Sequence, residues 1–293
     1  MRAILLILLV CLAALANAER VIHKEKSLYR NIEVKESNNR RCLVFAMRRR
    51  DRNQTCINLS HPDRVVFPYA RMTFAGLILN PEPESILIIG LGGGTLPTVI
   101  SKLFPEAIID VVEIDEAILR VAKQFFNFVE SEKVKVIVQD ARVYIKRAGI
   151  RKQKYDLIIL DAFTGDYIPE HLMTVEFLQE VKSIMSDRGV LVANTFSTSK
   201  LYDHESVTYQ RVFGDFFNFK MPGTANRVIV ATGKPLAPKK LIQDRANRLS
   251  GKMTRYGVNI DDFPRYMKRG KDWNEKERPL TDQYSPANLL RGE

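Results

Sequence analysis

Histidine and cysteine are scarce in this chain, and what is missing around them excludes whole classes of chemistry. The four histidines, His23, His61, His171 and His204, have no metal-ligand spacing, so no metal site is expected. No G-x-S-x-G turn occurs, which removes the nucleophile elbow of the hydrolases. The one tight basic run, Arg48 to Arg50, has no interleaved aromatic residues to stack bases on. It reads as a solvated hairpin tip, and no nucleic-acid partner is expected despite a net charge of +11. With 45% hydrophobic and 27% charged residues over 293 positions, the chain is neither disordered nor fibrous, and it is long enough for a large core.

Only one long apolar run exists, AILLILLVCLAAL after Arg2, followed by the small residues Ala16-Asn17-Ala18. Residues 1–18 read as an export signal, which places the protein in the periplasm or outside the cell. A retained membrane anchor is the alternative, although the run is short of the ~20 residues a spanning helix needs. Cys11 lies inside it and leaves Cys42 and Cys56, either side of FAMRRRDRNQT. On a hairpin these two face each other, as a disulfide or as a pair of free, half-buried thiols, since one register slip would part them.

Residues 19–80 alternate apolar and polar side chains in RNIEVKES, RCLVFAMR and QTCINLS, the pattern of a small β-rich domain. After Pro81 and Pro83 the pattern changes. Apolar runs of strand length, ILIIG, IIDVVEI, VKVIV, YDLIIL and GVLVANTF, alternate with amphipathic stretches of helix length, as in a parallel sheet covered on both faces. FFNFKM and RVIVAT flank Pro222-Gly223 and are too close for a parallel crossover, so the sheet ends in an antiparallel hairpin. The expected fold is α/β: a methyltransferase-type, Rossmann-like sheet of seven strands, mostly parallel with a terminal antiparallel hairpin, behind the small β domain. A nucleoside-binding transferase domain over 81–235 and a C-terminal helix and tail over 236–293 complete the division.

The turn GLGGGTLP closes the first parallel strand. Gly90, Gly92 and Gly94 let a ligand pack against bare backbone, and the helix starting at Thr95 offers it unpaired N–H groups. Thr95 is too bulky for the last position of a dinucleotide fingerprint, so a nucleoside is the better ligand. Glu113 ends the second strand, about twenty residues on, where a carboxylate can accept both ribose hydroxyls. Asp115 is read as the cap of the next helix. Asp140 follows the third strand, placed for the adenine amino group or for a helix cap. Asp161 ends the fourth strand and faces the ligand crevice, where it could orient or deprotonate an attacking amine. The loop beyond, with Thr164 and Asp166, is long enough to cover an acceptor.

From about His23 to Leu290 the chain resembles the spermidine synthases, in their spermidine synthase-like branch. The resemblance rests on KSLYRNIEV, PYARMTF, GLGGGTLP, VVEIDEAIL, QDARVYI, YDLIILDAF and the closing LTDQYSPANLL. It implies transfer of an aminopropyl group from decarboxylated S-adenosylmethionine to a diamine, without a tightly bound cofactor, in a homodimer. Glu113 then matches the ribose-binding acid, Asp140 the adenine-side acid, Asp161 the acid beside the amine, and Tyr69 a tyrosine of the acceptor pocket. Two family aspartates are missing. None stands in the glycine loop, and Thr164 takes the place of the second acid beyond Asp161, with Asp166 the candidate to replace one of them. Each lost charge-assisted hydrogen bond weakens the hold on an ammonium group by about 1.5–3 kcal/mol. Three readings therefore stay open: an aminopropyltransferase, a methyltransferase using S-adenosylmethionine, and an exported, non-catalytic nucleoside- or polyamine-binding protein.

Overall fold

In the computed structural model, which describes residues 19–46, 52–163 and 167–286, the strands form two sheets. The first is antiparallel, with β1 (Arg20–Lys26), β2 (Asn31–Ser37), β3 (Arg40–Phe45) and β4 (Arg52–Asn58) side by side in chain order. Ile32 and Val34 of β2 and Leu43 and Phe45 of β3 are buried, which is the period-two pattern that put these segments in strands. Asn38 and Asn39 join β2 to β3 with φ of 47° and 60°, the left-handed pair a two-residue hairpin turn demands. β1 was not anticipated; its side chains are mostly half-buried or exposed, and its register slips between Val21 and His23. Cys42 stands directly opposite Cys56 in the β3–β4 pair, with Cα atoms 4.1 Å apart, and the two sulfurs are bonded.

The second sheet contains β5 (Ser85–Ile89), β6 (Ile108–Glu113), β7 (Val134–Val138), β8 (Tyr155–Leu160), β9 (Met185–Phe196), β10 (Phe217–Phe219), β11 (Asn226–Ala231) and β12 (Met267–Lys268). Its spatial order is β12-β10-β11-β9-β8-β5-β6-β7. Strands β5 to β9 pair in parallel, and β10 and β11 form the antiparallel hairpin against β9. The two-residue β12 adds an eighth strand outside the hairpin, too short to leave an apolar pattern in sequence. Ile86 and Ile88 pack into one hydrophobic layer and Leu87 and Ile89 into the other, because successive side chains leave opposite faces of the sheet. All six residues of β8 are buried, as a strand covered by helices on both faces requires.

The helix over Lys239–Thr254 turns Ile242, Ala246, Leu249 and Met253 into the core, at the three- and four-residue spacing read from LIQDRANRLSGKM. Strand order reverses at β5, whose neighbours are β6 on one side and β8 on the other. Such a switch point opens a crevice at the carboxyl ends of the strands. No helix among the described residues is long and apolar enough to cross a membrane. Residues 1–18, the Arg48 to Arg50 run, Thr164, Asp166 and the end of LTDQYSPANLL lie outside the described residues.

Candidate active site

The glycine loop sits at the switch point. A Cβ on Gly90 would come within 2.4 Å of the Asp161 carbonyl oxygen, and its φ is +100°, so only glycine lets the ends of β5 and β8 approach this closely. Gly90 and Gly92 line a cavity of about 450 Å³. Gly94 does not reach it; with φ of +77°, and a Cβ position 2.5 Å from Phe128, it serves packing at the start of the helix Thr95–Leu103. The Gly93 N–H donates to Thr55 Oγ1 of β4 at 3.1 Å, tying the loop to the small sheet. Thr95 borders the cavity, and its buried hydroxyl has no partner among the described protein groups.

Glu113 closes β6 with 7% of its surface exposed, against the same cavity. Its carboxylate accepts the N–H groups of Leu91 and Asp115, each at 3.0 Å, which fixes its orientation. Burial raises its pKa, and those two N–H groups and the nearby Arg30 oppose the rise. Asp115 caps the helix Glu116–Phe125 through the Ala117 N–H at 3.0 Å and accepts a 2.6 Å bond from Ser27 of the β1–β2 turn. Asp140 caps the helix Ala141–Ile150 through Val143 N–H and also borders the cavity, with His171 Nε2 3.1 Å from its other oxygen. The two roles weighed for it are therefore compatible.

A second cavity of about 610 Å³ adjoins the first, and Phe67, Tyr69, Gln54 and Phe163 border both. Asp161 stands on the first cavity and Asn194 on the second, joined by a 2.8 Å bond from Asn194 Nδ2 to Asp161 Oδ1. Desolvation pushes the Asp161 carboxyl up to about 7, against the Asn194 bond. The Tyr69 hydroxyl donates to the Gln54 carbonyl at 2.7 Å; burial, then the charge of Asp161, holds its pKa well above the ordinary value, so it stays protonated. Deeper in the second cavity, buried Glu205 pairs with the fully buried Arg227 at 3.1 Å. Burial pushes Glu205 up to about 7, with Arg227 holding it down. Among the described residues no cluster of His, Cys, Asp and Glu is placed to hold a metal ion.

Sequence reasoning missed Asn194, Thr55, Glu205 and Arg227. Asn194 leaves a trace, as the polar residue that interrupts the apolar run of GVLVANTF. Arg227 leaves another, as a charge opening RVIVAT. Thr55 and Glu205 have no local signal.

Two adjoining cavities, with the desolvated Asp161 carboxyl on the first and bonded across to Asn194 on the second, and with the buried Glu113 carboxylate also bordering the first, suit transfer between two bound small molecules. Comparison with known proteins agrees. Residues 67–226 match the family model of the spermine/spermidine synthase domain. A polyamine aminopropyltransferase of Vibrio vulnificus (strain CMCP6) is 52% identical over 273 residues, covering 92% of this chain and 91% of its own. The spermidine synthase of Thermotoga maritima shares the fold, with a TM-score of 0.60 at 20% identity, over 83% of this chain and 84% of that one. Human methyltransferase-like protein 13, solved in complex with SAH, gives a TM-score of 0.57 at 26% identity, over 77% of this chain and 100% of that one. These matches overturn the expectation of an exported or membrane-anchored protein, and with it the exported binding protein. The Vibrio relative and the family model are both named for enzymes, an aminopropyltransferase and a synthase, and neither for an exported binding protein. The chain is a transferase and belongs to the spermine/spermidine synthase family.

Proposed function

We propose that this protein is a polyamine aminopropyltransferase, with decarboxylated S-adenosylmethionine in the 450 Å³ cavity and an amine acceptor in the 610 Å³ cavity. The observation that carries the reading is Asp161, desolvated to about 7 and held by Asn194 where the two cavities meet. In this scheme Glu113 accepts the ribose hydroxyls and Asp140 the adenine amino group. The acceptor enters as an ammonium ion, and Asp161 takes one of its protons. The freed nitrogen lone pair attacks the aminopropyl carbon, the C–S bond breaks, and its electrons return to sulfur, leaving neutral methylthioadenosine. Alignment supplies most of the acceleration, since two bound reactants react as one molecule. Tyr69, protonated beside Asp161, is a neutral wall that does not compete for the proton.

Methyl transfer from S-adenosylmethionine is the second reading. It is favoured by the absence of an acid in GLGGGTLP, where Thr95 presents an unpartnered hydroxyl to the donor cavity. Purified protein offered each donor with diamines decides between them. Release of methylthioadenosine with an aminopropylated amine supports the proposal, and S-adenosylhomocysteine formation alone overturns it. A homodimer, as the family resemblance implies, is part of the proposal and is read by light scattering.

A further inference from the structure

The segment LTDQYSP, residues 280–286, crosses the molecule far from the reacting centre in sequence, yet it is anchored more firmly than a surface tail needs to be. Leu280 is 1% exposed and packs with Met173 and Leu201, with Ile168 against the same cluster. Ile168, Met173 and Leu201 all border the amine cavity, whereas Leu280 stands one layer behind them. The Leu280 carbonyl accepts the N–H of Val175 at 2.9 Å, one of the donors that a helix start leaves open, and its own N–H donates to Thr208 Oγ1 at 2.8 Å.

Asp282 adds a charged clamp. It accepts two parallel bonds from Arg142, at 2.7 and 2.6 Å, and a third from Thr174 Oγ1 at 2.7 Å. Thr174 caps the helix Val175–Ser183 through Phe177 N–H, and Arg142 also grips Glu180 of that helix with two bonds of 3.0 Å. Arg142 lies two residues beyond Asp140, and it is Asp140 that borders the donor cavity. Just before the segment, the Arg278 guanidinium lies 3.7 Å from the Tyr284 ring centroid, and the Arg278 carbonyl is bonded by His204 Nδ1 at 2.7 Å.

We propose that Leu280 and Asp282 are positioning residues for the amine cavity: they fix the end of the segment following β8, and so the placement of Ile168 and Met173 against the acceptor. The inference rests on the aminopropyl-transfer reading for its kinetic consequence. Between Asp161 and Val175 the described chain has one short 3-10 turn, Glu170–Leu172, so its far anchor at Thr174 governs where its side chains stand.

The test compares Leu280→Ala, Asp282→Asn and the volume-conserving Leu280→Met with the wild type. The Michaelis constant for the amine rises roughly tenfold in the first two, as a small misplacement of a positioning wall should cause. Methylthioadenosine affinity is unchanged, and Leu280→Met restores the amine constant. In parallel, hydrogen–deuterium exchange over residues 167–173 speeds up in Leu280→Ala and Asp282→Asn but not in Leu280→Met. Wild-type amine constants and exchange rates in both variants, with only a lowered melting temperature, overturn the inference. If the wild type transfers an aminopropyl group to no amine, the functional reading falls, and the exchange measurement alone decides the positioning role.

Discussion

Replacing Asn194 by alanine should move the pH dependence of the reaction without touching either substrate's charge. Asn194 Nδ2 donates to Asp161 Oδ1 at 2.8 Å and is the hydrogen bond that opposes the desolvation of that carboxyl. A hydrogen bond to a charged group contributes about 1.5–3 kcal/mol, and about 1.4 kcal/mol corresponds to one unit of pH, so losing it raises the midpoint by roughly 1–2. Asp161 starts at about 7. It must be ionised to accept a proton, so activity rises with pH, and the acid limb of kcat/KM moves to about 8–9. At pH 7 the ionised fraction falls from about one half to between a tenth and a hundredth, a loss of roughly 5–50-fold that disappears in alkali. The assay is methylthioadenosine release across the pH range for both proteins. The amine's own deprotonation cancels in their ratio. An acid limb that stays at 7 in Asn194→Ala would show that Asp161 is not the titrating base.

Four further outcomes are expected. Asp161→Asn should cost ~10²–10⁴-fold in turnover with methylthioadenosine affinity intact, because its amide oxygen keeps the Asn194 bond but accepts no proton. The same variant should lose less stability than the wild type between pH 4 and 8: the raised Asp161 pKa gives stability that is full below its ordinary 3.8 and lost as pH climbs through about 7, a difference visible in thermal melts. Glu113→Gln should weaken methylthioadenosine binding by on the order of tenfold or more by calorimetry, since one oxygen becomes an NH₂ that faces the N–H of Leu91 or Asp115; unchanged affinity would remove Glu113 from the site. Mass mapping of unreduced peptides should recover Cys42 linked to Cys56, and reduction should lower stability by up to about 3 kcal/mol for a loop of this length, whereas two freely alkylated thiols would refute the bond.

The order of the large sheet was legible because parallel strands leave continuous apolar runs, and because a Pro-Gly turn between FFNFKM and RVIVAT admits only an antiparallel return. What escaped were the marginal strands. β1 buries too little to alternate clearly, and β12 is two residues recruited by β10 after the helix Lys239–Thr254 has brought the chain back. Gly94 illustrates a different limit. A glycine at a ligand loop and a glycine under an aromatic ring look identical in sequence, and only the position of Phe128 separates them.

The two halves of the site differ in legibility for a topological reason. Glu113, Asp140 and Asp161 each follow their own parallel strand, so the strand pattern alone sends them to the same edge of the sheet. The second cavity is assembled across the chain instead. Antiparallel pairing of β11 with β9 sets Asn226 against Phe196 and Arg227 against Thr195. That register lets Asn226 Nδ2 reach Asn194 Oδ1 at 3.0 Å, completing a chain of amides that ends on Asp161. It also buries Arg227 entirely, and a buried guanidinium must find a carboxylate. Glu205, on the helix Tyr202–Phe213 that crosses between those strands, is that carboxylate, and its burial follows from its partner's. Before the hairpin's register is known, neither the pair nor the place of Glu205 on the second cavity can be assigned, because nothing within ten residues of either one indicates that the other is there.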